Sequence, residues 1–143
     1  MFIVAVRNGR MKGDAIPLED LVEAIKAKVG EGKRFLVLTA PLERTSKTAK
    51  FIGERLRSKP RNVSALTSET YSDGPILMEA IQNEVNDAGG PVDVVIAVTL
   101  SEAPAGIIRA FTTHCDEPIA PQEIGYATGM FINLETGATG RLP

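Results

Sequence analysis

The chain has 143 residues, of which 43% are hydrophobic and 24% charged, and its net charge is −2. That composition fits one globular domain rather than a disordered or membrane-embedded chain, and the charge balance offers no general attraction to nucleic acid or anionic lipid. Its one cysteine, Cys115, excludes an internal disulfide framework and points to a reducing compartment. No apolar run approaches the roughly 18 residues of a membrane span. The opening MFIVAV is short and lacks the basic start of a secretory signal. A cytoplasmic protein of one domain, spanning residues 1–143 and needing no membrane, is expected.

The first element is FIVAV (2–6), continuous in apolar and β-branched residues, the mark of a strand buried on both faces. It runs into Arg7-Asn8-Gly9. Asn-Gly is a strong hairpin signal, but the RMKGDAIPL that follows is polar and broken by Gly and Pro, a poor partner strand. A strand-to-loop junction fits better. Next, Leu18, Leu21, Val22, Ile25 and Val29 repeat with helical spacing. Pro17 suits that helix's first turn, Glu19 and Asp20 complement its N-terminal dipole, and Gly30 follows its end.

FLVLT (35–39) is a second buried strand, and a helix is expected over 43–57, with Ala49, Ile52 and Leu56 inward and Pro60 stopping it. Residues 43–61 hold seven Lys or Arg against two acids. Phe51 is the one aromatic there and no stacking platform is visible, so a solvated helix face is expected, not a nucleic-acid surface. NVSALTS (62–68) is a weaker strand candidate. A third helix over 75–88 buries Leu77, Ile81 and Val85 before Gly89-Gly90, and VDVVIAVT (92–99) is a third buried strand. A fourth helix over 104–111 buries Ile107, Ile108 and Phe111. The tail EIGYATGMFINLETGATG reads as one or two strands with a Gly-rich turn.

Strands alternating with helices imply parallel pairing through crossover connections. The expected fold is a three-layer α/β/α sandwich, mostly parallel, with an antiparallel edge strand from the tail. Open sheets of this kind bind ligands at the carboxyl ends of their strands. Arg7 and Arg44 are both expected there, at the ends of neighbouring strands, with Arg44 opening a helix. Two guanidiniums beside a helix N-terminus suit an oxyanion, through bidentate bonds and oriented N–H groups. The competing reading makes each a solvated surface charge or a partner for a local acid such as Glu43.

Three segments in order resemble the histidine phosphatase superfamily, which includes the phosphoglycerate mutases and small bacterial phosphohistidine phosphatases. They are VRNG (6–9), APLERTSKTA (40–49) and VTLSEAPAGIIRAF (98–111). In that superfamily the first strand ends in Arg-His-Gly, the second runs into Ser-Pro-Leu-X-Arg-(Ala/Thr)-X-X-Thr-Ala, and the last parallel strand ends in Val-(Thr/Ser)-His. Pro41, Leu42, Arg44, Thr48 and Ala49 match the middle motif position by position. The resemblance implies a phosphoglycerate mutase-like fold and a phosphate pocket formed by Arg7, Asn8, Gly9 and Arg44.

It also exposes two departures. The nucleophilic histidine of Arg-His-Gly is replaced by Asn8, whose amide nitrogen has its lone pair delocalised into the carbonyl. The second histidine, which helps hold the transferring phosphoryl, is replaced by Leu100; shifting the alignment by one residue brings Thr99 or Ser101, neither a histidine. The resemblance further implies an acidic general acid after the third strand. Glu69 in TSETYSDG is the candidate, with Asp73 and Glu79 behind it, against the simpler reading of an exposed loop acid.

No other residue restores the reaction. His114 follows the fourth helix, away from the strand ends. Cys115 lies in CDEPIAP, where acids disfavour a thiolate and Pro121 stands where a cysteine phosphatase needs arginine. Thr39, Thr45 and Thr99 have no base nearby. No His, Cys, Asp and Glu spacing fits a metal site, and no cofactor is expected.

Three functions follow. The first is a catalytically inactive domain whose arginine pocket binds a phosphorylated small molecule or a phosphoprotein. The second is a weak phosphatase or mutase using water attack helped by Glu69, without a phosphohistidine. The third is an interaction scaffold with vestigial arginines.

Overall fold

A computed structural model of the protein describes residues 1–9, 15–67, 74–100 and 125–142, together with Pro104, Ile107, Ile108 and Phe111. The elements are β1 (Phe2–Arg7), α1 (Ala15–Val29), β2 (Phe35–Thr39), α2 (Glu43–Leu56), β3 (Arg61–Asn62), α3 (Gly74–Asp87), β4 (Val94–Thr99), β5 (Gly129–Asn133) and β6 (Thr139–Leu142), with a 3-10 turn at Ser64–Leu66. One six-stranded sheet runs in the order β3-β2-β4-β1-β5-β6. The pairs β1·β4, β2·β4 and β2·β3 are parallel, whereas β5 and β6 join antiparallel beyond β1.

The three central strands are buried on both faces, as their unbroken apolar runs require. Period-two alternation then divides their side chains between two cores. Val4, Val6, Val37, Ile96 and Val98 pack against α1 and α2. Ile3, Ala5, Leu38, Val95 and Ala97 pack against α3 and the 3-10 turn. Pro104, Ile107, Ile108 and Phe111 have helical backbone, and the two isoleucines join the second core. Helices therefore cover both faces, and the expected α/β/α architecture stands. Among the described residues no helix is long and apolar enough to cross a membrane.

Four local expectations change. NVSALTS contributes only Asn62 to a strand: pairing stops after Arg61 and Asn62, and the chain turns over Ser64–Leu66 so that Leu66 enters the core, fully buried. Second, α1 starts at Ala15, two residues before Pro17, which moves Glu19 and Asp20 out of its first turn. Glu19 instead pairs with Arg55 on α2, and the Arg55 guanidinium also lies 3.4 Å over the Phe51 ring. Third, the tail extends its second strand to Leu142. Fourth, β1 and β2 are not neighbours, because β4 lies between them. The neighbours of β1 are β4 and β5, so no hairpin partner follows it directly.

α2 positions the motif around Arg44. Thr45, Thr48, Ala49, Ile52, Gly53 and Leu56 form its buried stripe, with the spacing of one helical face. Gly53 lets the chain fold back tightly after the helix, its carbonyl accepting from the Ser58 N–H at 3.0 Å. A methyl at Gly53 would collide with the Ser58 carbonyl and sit 3.1 Å from the Pro60 ring. Alanine ordinarily stabilises a helix interior by about 1 kcal/mol relative to glycine. Here Gly53→Ala is expected to destabilise by about 1–3 kcal/mol through overpacking, measured as a lower urea midpoint with unchanged slope.

Candidate functional site

The carboxyl ends of β1, β4 and β2 converge on one edge of the sheet. Arg7 stands opposite Thr99 in the parallel register. The ladder continues one step further, with the Asn8 N–H donating to the Thr99 carbonyl at 2.9 Å, so Asn8 and Leu100 lie side by side beyond the strand ends. β2 delivers Ala40 to the same edge, its N–H donating to the Val98 carbonyl at 3.1 Å. Two strand spacings, about 10 Å, separate the ends of β1 and β2. The half-buried Leu100 follows the strand between them.

Asn8 is only 2% exposed and forms no turn. Its carbonyl accepts from Ala127 N–H at 3.3 Å, and its side-chain Nδ2 donates to the Gly9 carbonyl at 2.8 Å. The amide is thus held in place, with one of its two N–H bonds committed. Gly9 N–H donates to Thr48 Oγ1 at 2.9 Å in a buried contact, and that hydroxyl donates to the Arg44 carbonyl at 3.2 Å. One threonine therefore ties Arg-Asn-Gly directly to the first turn of α2.

The two arginines are presented differently. The Arg7 guanidinium stacks on the Tyr126 ring, 3.9 Å from its centroid, which fixes the plane of the fork. Tyr126 belongs to the turn before β5, where Ala127 holds a positive φ of 55° and is buried. Arg44 is exposed, and among the described residues it makes no ion pair. Its neighbour Glu43 pairs with Lys47 at 3.3 Å, one turn along the helix, so Glu43 does not occupy Arg44. The N-cap residue Leu42 makes no side-chain capping bond. The first N–H groups of α2 therefore keep the partial positive charge of an uncapped terminus beside Arg44.

The hydroxyls at this edge serve the backbone. Thr39 and Thr45 both donate to the Ala40 carbonyl, at 2.9 and 2.6 Å, and Thr99 donates to the Leu66 carbonyl at 2.7 Å. None is placed as a nucleophile. Glu79 lies exposed on α3, whereas Glu69, Asp73, Ser101, His114 and Cys115 lie outside the described residues. Among the described residues, no group of three His, Cys, Asp or Glu side chains could hold a metal ion.

Two contributors escape sequence reading. Tyr126 is far from Arg7 in sequence and obeys no periodicity that would pair them. Thr48 matches a motif position, but only the fold reveals what its hydroxyl holds.

No family model matches the chain, and no curated protein matches it. Solved structures do. A phosphatase acting on glucosyl-3-phosphoglycerate, from a mycobacterium and solved with VO3, superposes with a TM-score of 0.60 at 16% identity, covering 98% of this chain and 96% of that one. YhfR of Bacillus stearothermophilus gives 0.59 at 13% identity over 97% and 94%. Phosphoglycerate mutase from Plasmodium falciparum gives 0.57 at 12% over 99% and 88%. These are histidine phosphatase superfamily proteins, and the present chain has their fold.

Thr48→Val is expected to leave the buried Gly9 N–H without an acceptor and to cost about 1–3 kcal/mol. Thr48→Ser keeps the hydroxyl and should cost less; equal urea midpoints for Thr48→Val and the unsubstituted protein would show that the bond carries no stability.

Proposed function

We propose that this protein is a phosphate receptor built on a phosphatase fold, binding a phosphorylated small molecule or phosphoprotein without attacking it. Arg7 and Arg44 grip the anion from two sides, with the second N–H of the Asn8 amide and the uncapped start of α2 completing a positive cradle. The observation that carries this reading is the pairing of an oriented Arg7, stacked on Tyr126, with a neighbouring Asn8 whose amide is held by Gly9.

The chemistry then separates binding from turnover. Covalent transfer needs a nucleophile with an available lone pair, and Asn8 lacks one. A transition-state phosphoryl group needs donors or charge around it, and Leu100 supplies neither. What survives is ground-state electrostatic complementarity, which favours binding without accelerating reaction. The fold relatives lend support, because the mycobacterial phosphatase has been solved with VO3 and with inorganic phosphate.

The test is calorimetric titration of phosphate, then of tungstate as a tighter oxyanion. Saturable binding is expected, weakened by about 10- to 100-fold in Arg7→Ala and in Arg44→Ala, the equivalent of about 1.5–3 kcal/mol for a lost charge-assisted contact. Undiminished affinity in both variants would overturn the receptor reading. Steady hydrolysis of a phosphate ester that Arg44→Ala abolishes would make the protein an enzyme instead.

Tyr126 has its own signature. Tyr126→Phe keeps the ring beneath Arg7 and should retain tungstate affinity. Tyr126→Ala should weaken it by about 3- to 10-fold, in line with roughly 0.5–1.5 kcal/mol for the stacking.

A further inference from the structure

At the opposite end of the sheet, where β2 begins, lies a cavity of about 560 Å³. The ends of α2 and α3 border it. Phe35, Leu36 and Leu56 supply apolar lining, and Lys33, Arg57 and Lys59 supply cations, with Asp87 the one acid among the lining residues. Two further arginines line it but are already engaged. Arg34 donates to the Ala88 carbonyl at 2.6 Å and the Pro91 carbonyl at 3.2 Å, and Arg61 pairs with Glu84 at 3.1 Å. Lys33, Arg57 and Lys59 are exposed and make no ion pair among the described residues.

Cations near a helix C-terminus are ordinarily explained by the helix dipole. That explanation does not account for the backbone of Arg57. It caps α2 at φ 57° and ψ 44°, in the left-handed region. Glycine adopts that conformation without penalty and is the usual choice there. This chain follows the usual rule after α1, where Gly30 has a φ of 88°. An arginine kept in a strained cap, with its side chain lining a cavity, points to work done by that side chain. Two carbonyls at these helix ends are already taken up, Gly53 by Ser58 N–H and Ala88 by Arg34.

We propose that this cavity is a second ligand site, taking a nucleoside polyphosphate. The half-buried Phe35, with Leu36 and Leu56, offers a surface for a flat ring, and Lys33, Arg57 and Lys59 receive the phosphate chain. Its volume falls within the roughly 300–1,000 Å³ of small-molecule sites. A net charge of −2 for the whole chain makes this local cluster an exception to its surroundings. The site stands apart from the Arg7 edge by the length of β2 and does not depend on how that edge is read.

The test titrates metal-free adenosine triphosphate and inorganic tripolyphosphate into the intact protein, Arg57→Gly, Lys59→Gln and Arg7→Ala. Adenosine triphosphate should bind saturably and more tightly than tripolyphosphate, and should lose affinity with added salt. Arg57→Gly and Lys59→Gln, each read in the Arg7→Ala background so that the carboxyl edge does not contribute, should weaken it by about tenfold. Arg57→Gly relieves the strained cap, so its thermal midpoint should hold or rise, which separates lost binding from lost folding. Absent saturation, equal affinity for tripolyphosphate, or sensitivity to Arg7→Ala alone would each overturn the proposal.

Discussion

The site depends on a single hydroxyl. Thr48 accepts from Gly9 N–H and donates to the Arg44 carbonyl, joining a loop after β1 to the first turn of α2 across 39 residues of sequence. Both ends are buried or part-buried, where an unmade hydrogen bond costs more than a made one contributes. The threonine can reach Gly9 only because the apolar stripe of α2 docks on β2 and β4 with Thr48 facing inward, next to Ala49 and Ile52. Packing sets the helix, the helix sets the hydroxyl, and the hydroxyl sets the spacing of the two segments that bear Arg7 and Arg44.

Seen from that bond, the carboxyl edge has a consistent character. Its polar side chains are used to hold backbone: Thr39, Thr45 and Thr99 bond to carbonyls, and Asn8 bonds to Gly9. Of its two arginines, Arg7 is oriented by an aromatic ring, and Arg44 is exposed and makes no ion pair among the described residues, Glu43 being paired with Lys47. A rigid frame with fixed positive charge is what ground-state anion recognition requires. Phosphoryl transfer would add a nucleophile and mobile protons, for which Asn8 and Leu100 are poor materials.

Much of this was legible in the residues. Continuous β-branched runs mark β1, β2 and β4 because strands buried on both faces admit nothing else. The stripes of α1 and α2 follow from helical periodicity, and the Arg7 and Arg44 positions from where those runs end. The rest depended on contacts distant in sequence. Nothing in RNG and GYATG reveals that Arg7 will lie on Tyr126. The insertion of β4 between β1 and β2 is a matter of crossover topology, which periodicity does not encode. NVSALTS misleads because Leu66 is buried by a 3-10 turn as thoroughly as it would be by a strand.

The most direct measurement of the central claim is a crystal structure of the protein soaked in tungstate. The account predicts tungstate density between the guanidiniums of Arg7 and Arg44, within hydrogen-bond distance of the Asn8 amide and with no covalent bond from tungsten to any side-chain nitrogen. An empty carboxyl edge in a crystal where that edge is open to solvent would contradict it, as would tungsten covalently attached to a side chain.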